Sequence, residues 1–178
     1  MQVRILRTAA ELESLLASCE DYVVSTNMTP MQDPLWQLSC VIALAADRRL
    51  EIVAVFERGK LLALCSLARE SRLRGRYEQV GAKKLAEPGG CYFADEASLR
   101  VLVDALSHVE HSFTLGRVVV NSPSLRAVRN AQPHSGTLAV AVAGNCPYID
   151  LIMQPENIDQ MLSKHLRSDL RRARRKAE

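Results

Sequence analysis

A chain of 178 residues has room for one domain with a real core, and 48% hydrophobic against 24% charged residues is the balance of a soluble globular protein. Aromatics reach only 4%, so that core must be built from Leu, Val, Ile and Ala. The formal charge is +3, no apolar run approaches the ~20 residues of a membrane span, and Met1 to Arg7 lacks the apolar centre of a signal peptide, so a cytoplasmic chain is expected.

In chain order, Val3 to Leu6 reads as a short strand. Thr8 and Glu11 then have the spacing of a capping box, opening a helix that turns Leu12, Leu15, Leu16 and Cys19 inward. A polar connection from Ser25 to Gln32 leads to Asp33-Pro34, an N-cap followed by Pro at the first helical position. The helix it starts, Leu35 to Ala46, is largely apolar and holds the sole tryptophan, Trp36. Two apolar runs, Leu50–Glu57 and Leu61–Leu67, flank Arg58-Gly59-Lys60. They predict a β-hairpin with Gly59 in the tight turn, covered on both faces. Ser71 to Gly90 is basic and irregular, with one strand around Tyr77 to Val80. Asp95-Glu96 begins a helix through Val109 that buries Leu99, Leu102, Val103 and Leu106. Arg117 to Asn121 is expected as a buried strand of three valines. Ser122-Pro123 caps a helix to Asn130, and Thr137 to Ala143 alternates weakly as a further strand.

The end of the chain carries the charge. Cys146-Pro147-Tyr148-Ile149-Asp150-Leu151 reads as a strand and Gln154-Pro155 as a turn. The helix that follows has Ile158, Met161, Leu162, Leu166, Leu170, Ala173 and Ala177 in one narrow apolar stripe. Seven cations (Lys164, Arg167, Arg171, Arg172, Arg174, Arg175, Lys176) against Asp169 and Glu178 leave +5 on residues 164–178, so residues 1–163 sum to −2. No Gly or Pro closes the helix. Interleaved helices and strands argue for an α/β fold with helices on a mixed sheet.

Few constellations suggest chemistry. The five cysteines (19, 40, 65, 91, 146) are odd in number and far apart, and the histidines are dispersed, so metal-site spacing is absent. Cys19, Cys40 and Cys65 lie in apolar patterns and read as small hydrophobes. Arg72-Leu73-Arg74-Gly75-Arg76-Tyr77 partly matches the pyrophosphate loop of acyl-CoA transferases, but Tyr77 occupies a small-residue position and a strand follows. A basic surface turn is the preferred reading. His108 and His111 lack a third ligand, Asp104 and Glu110 look solvent-facing, and neither a nucleophile elbow nor a Walker loop is present. The terminal cations suit phosphates or another anion. The absence of aromatics after Tyr148 argues against a nucleic-acid module.

The Cys146–Leu151 stretch together with Ser163, Leu166-Arg167-Ser168-Asp169-Leu170-Arg171-Arg172 and Arg174-Arg175 resembles the centre of GNAT-superfamily acetyltransferases of the CelD-like (cellulose-biosynthesis-protein-like) type, relatives of the Fem peptidoglycan aminoacyltransferases. Asp33-Pro34-Leu35-Trp36, Glu57 to Ala63 and Glu87-Pro88-Gly89-Gly90 resemble that family's early helix, Gly-turn hairpin and mid-domain loop. The resemblance runs over essentially the whole chain. It implies a GNAT-like three-layer domain, a mixed and mostly antiparallel sheet with helices on both faces. Residues 1–153 would form an N-terminal half-domain and 154–178 a basic linker helix leading into a second GNAT half.

By the same resemblance the parent reaction is acyl transfer from acetyl-CoA or another acyl-CoA to an amine or hydroxyl. The acceptor would be a small molecule or a cell-envelope polysaccharide or peptide. The second half would carry the acyl-CoA site, this half would shape the acceptor side, and no cofactor is expected to bind tightly here. Catalytic residues are not carried over. Lys164, Arg167 and Arg171 are expected to face the cleft between halves and to hold an anionic group. The alternative is a non-catalytic module that binds anionic polymers or nucleic acid through the basic helix. An apolar stripe without its neighbour also implies self-association.

Overall fold

A computed structural model describes residues 1–19, 22, 29, 32–69, 76–85, 88–109, 111–131, 137–142, 144 and 163–177. The chain divides into two compact units, Met1–Ala143 and Gly144–Glu178. The first contains β1 (Gln2–Leu6), α1 (Ala9–Ser18), α2 (Pro34–Ala45), β2 (Leu50–Glu57), β3 (Lys60–Arg69), β4 (Arg76–Gln79), α3 (Ala82–Leu85), β5 (Tyr92–Phe93), α4 (Glu96–Ser107), β6 (Ser112–Thr114) and α5 (Pro123–Asn130). In the second, the described helix is α6 (Lys164–Ala177).

The sheet grows outward from the β2–β3 hairpin. Glu57 pairs with Lys60 across a two-residue turn, in which Arg58 and Gly59 both take positive φ, 50° and 78°. That is the turn whose twist matches the strands it joins, and Gly59 adopts it without steric cost. Strands run β1-β2-β3-β4-β6, with β5 also on β3. All pairings are antiparallel except β4 with β6, which makes the sheet mixed.

Alternation along the hairpin splits the core in two. Ile52, Ala54, Leu64 and Ala68 face α1 and α2, where Leu12, Leu15, Leu16, Cys40, Val41 and Ala45 cover them. Val53, Val55, Ala63, Cys65 and Leu67 face Leu102 and Leu106 of α4. Val55 pairs with Ala63 but Phe56 with Leu61, so Leu62 is an extra bulged residue. The bulge rotates Leu61 onto the α1–α2 side and leaves Leu62 against the α4 side. Helices therefore lie on both faces, as alternating strands buried nearly end to end require.

One edge of β3 is shared by two strands. Leu67 to Arg69 pair with β4, and Ala63 and Leu64 pair with β5. Where the partner changes, the Ser66 amide donates to the side-chain oxygen of Gln37 at 3.2 Å, and the Ser66 carbonyl accepts from Val80 at 3.0 Å. The change of partner thus leaves no backbone group of Ser66 unpaired.

Capping fixes the helix starts where the sequence places them. Thr8 and Glu11 form a reciprocal capping box, Asp33 accepts from Leu35 and Trp36, and Asp95 and Ser122 cap α4 and α5. Two expected strands are not strands. At Arg117–Asn121, Arg117 and Asn121 have positive φ, and Ser122 N–H closes a turn on the Val119 carbonyl at 3.1 Å. Val119 and Val120 are exposed, and Val118 makes an isolated bridge to Gly89. Residues 137–142 carry neither helix nor strand, and all are exposed. The expected strand at 146–151, the start of the last helix at 158–162 and the 153/154 boundary lie outside the described residues.

Candidate functional site

The terminal helix gathers the cations that the sequence singles out. At about 100° per residue, Lys164, Arg167, Arg171 and Arg175 fall within an arc of roughly 80°, over about 16 Å of helix axis. Arg175 Nε donates to the Arg171 carbonyl at 3.4 Å, which holds its head group along the same face. Lys164, Arg171, Arg172 and Arg175 are exposed and Arg167 is half-buried. Asp169, the carboxylate inside the helix, stands on the far side of the wheel. Among the described residues no carboxylate pairs with any of these cations. The result is a row of positive charge whose donors, Arg175 Nε apart, are uncommitted among the described residues, suited to a phosphate, a carboxylate or a repeating polyanion.

Other sequence candidates are engaged in structure. Arg76 gives its guanidinium to the Thr114 hydroxyl at 2.8 and 3.1 Å. Tyr77 is buried and stacked on His111, ring centroids 5.4 Å apart. Both belong to the β4–β6 pairing, and the rest of the loop-like stretch, residues 72–75, lies outside the described residues. His108 Nδ1 sits 2.8 Å from the Asp104 carbonyl at the end of α4. Asp104 is exposed, and Glu110 is not among the described residues. Within the described residues no group of three His, Cys, Asp or Glu side chains could hold a metal.

A cleft of about 430 Å³ in the first unit is not legible in the sequence, because three separated segments build it. Arg4 and Phe56 come from adjacent strands, Leu15 and Cys19 from the end of α1, and Glu57 and Arg58 from the hairpin turn. Arg4 lies over the Phe56 ring at 5.5 Å, and Glu57 holds the N-terminal ammonium at 3.3 Å. Burial pushes the Cys19 thiol up, against the opposing pull of the Leu61 amide and Arg4.

No family model, curated protein or solved structure matches the chain.

Proposed function

We propose that this chain supplies the acceptor-side half of an acyl-CoA-dependent N- or O-acyltransferase of GNAT-like architecture. Lys164, Arg167 and Arg171 then hold an anionic group of the acceptor or of the cofactor. The observation that carries the reading is the uncommitted cation row on α6. The mixed sheet covered by helices on both faces adds support, being the architecture that the resemblance implies. In such a reaction the row's work is positional. Fixing an anionic handle at three points orients the nucleophile toward the thioester and replaces diffusion by a bound geometry. The acetyl-CoA or other acyl-CoA site belongs, on this reading, to a partner GNAT half.

Calorimetric titration of the 178-residue chain with acetyl-CoA tests the division of labour. The expected result is weak heat that fades with added salt and disappears in the Lys164→Ala, Arg167→Ala, Arg171→Ala variant. Stoichiometric micromolar binding that survives those substitutions would overturn it.

A second reading rests on the length of the row. Four cations over about 16 Å exceed what one pyrophosphate needs and suit a repeating anion, which favours a module for anionic polymers. Salt-dependent retention on DNA or heparin, lost when Arg171, Arg172, Arg174 and Arg175 become Ala, would support this reading over the first.

A further inference from the structure

Cys65 and Cys91 stand opposite each other across the sheet. β3 and β5 pair as Ala63 with Phe93 and Leu64 with Tyr92, so the next step of the antiparallel register sets Cys65 against Cys91. Ala94 donates its N–H to the Leu62 carbonyl at 2.7 Å, which makes 62/94 and 64/92 the hydrogen-bonded positions. Positions 63/93 and 65/91 are then the alternate kind, where Cα atoms approach to about 4.5 Å and side chains lie closest. That separation falls within the window of about 4.4–6.8 Å that a disulfide spans. Both side chains enter the core beneath α4, and both are buried free thiols. The neighbouring Cys91 side chain, and after it burial, push the Cys65 thiol well above its ordinary value.

We propose that Cys65 and Cys91 form a cross-strand redox couple, closed to a disulfide by small-molecule disulfides of the glutathione class and reopened by excess thiol. One cysteine loses its proton to solvent and attacks a sulfur of the reagent. A mixed disulfide forms, and the first reagent thiolate leaves and is protonated. The second cysteine, deprotonated in turn, attacks the protein sulfur of that mixed disulfide and expels the second thiolate. The two protein sulfurs give up two electrons in all, and the reagent's S–S bond is reduced to two thiols. Access comes through local opening, since β5 is two residues long and joins the sheet through β3 alone. Once formed, the bond pins β5 to β3 at the place where the strand changes partner.

The test is to equilibrate the intact chain in glutathione buffers of graded ratio, quench with acid, alkylate free thiols under denaturing conditions and map non-reduced peptides by mass. The expected product links the Cys65 and Cys91 peptides with the loss of two hydrogens. Its fraction titrates with the buffer ratio, its urea midpoint is higher, and dithiothreitol reverses it. Full alkylation of both cysteines at every ratio, or a predominance of glutathione adducts or of other cysteine pairings, would overturn the proposal. Cys91→Ala and Cys65→Ala should each make the urea midpoint indifferent to oxidant. If either variant fails to fold, the wild-type peptide map decides alone.

Discussion

Asp33 and Asp95 each close a helix start with one carboxylate, and their local chemistry is the most legible part of the chain. Asp33 Oδ1 accepts from Leu35 at 2.7 Å and Trp36 at 3.2 Å, and Pro34 adds a preset φ at the first helical position. Asp33→Ala should cost about 1 kcal/mol, read as a lower urea midpoint with unchanged slope. At Asp95 the Ser98 amide, and after it the Ser98 hydroxyl, lowers the carboxyl pKa from its ordinary 3.8. At Glu11 the amides of Arg7 and Thr8 lower it from 4.5. Both groups bind fewer protons folded than unfolded. Their stabilisation is in full above the unfolded values and is lost as pH falls through the depressed folded ones. Acid unfolding followed by circular dichroism should therefore begin below about pH 4.5, and Asp95→Asn should flatten its pH dependence. Such caps are visible in sequence because both partners sit within four residues. The close approach at Gly89 is not: a Cβ there would collide with the Gly116 carbonyl oxygen, a neighbour that only the fold supplies.

The β2–β3 hairpin was readable as an element because its turn residues and its apolar arms agree. The segments at 117–121 and 137–142 show how that logic fails. Three valines in a row have the right β propensity, but propensity expresses fit to a half-buried pleated surface, and here no strand lies alongside. Positive φ at Arg117 and Asn121 turns the run out of the sheet at both ends. The places that pair instead, Ser112–Thr114 and Tyr92–Phe93, are too short to carry a period. For Cys65 and Cys91 the missed register concealed their apposition, since Cys65 looked like an isolated small hydrophobe and the strand pairing beside Cys91 has no sequence period. Helix α6 was legible from its spacing, and its charge makes a prediction of its own. If the row binds a polyanion, removing Arg171 and Arg175 should reduce the slope of log affinity against log salt by roughly 2. A slope unchanged by these substitutions would show that binding takes place elsewhere.

At the scale of the molecule, charge and packing are separated along the chain. Residues 1–163 are net −2 while residues 164–178 are +5, and the two-faced core belongs to the first unit. The α/β class with a mixed sheet was readable from interleaved periods, because alternating apolar strands need cover on both faces and the amphipathic helices provide it. The site was readable only in part. Sequence identified the cation row, whereas the Arg4–Phe56 cleft required three segments to converge. The central proposal is that α6 holds an anion and that the acyl-CoA site belongs to a partner half. The most direct measurement is an NMR titration of the arginine Nε–Hε resonances with acetyl-CoA at low salt. Graded, salt-sensitive shifts of Arg167 and Arg171 that do not saturate at stoichiometric cofactor are expected. Saturating shifts at Arg4 and Arg58, with Arg167 and Arg171 unmoved, would contradict the proposal.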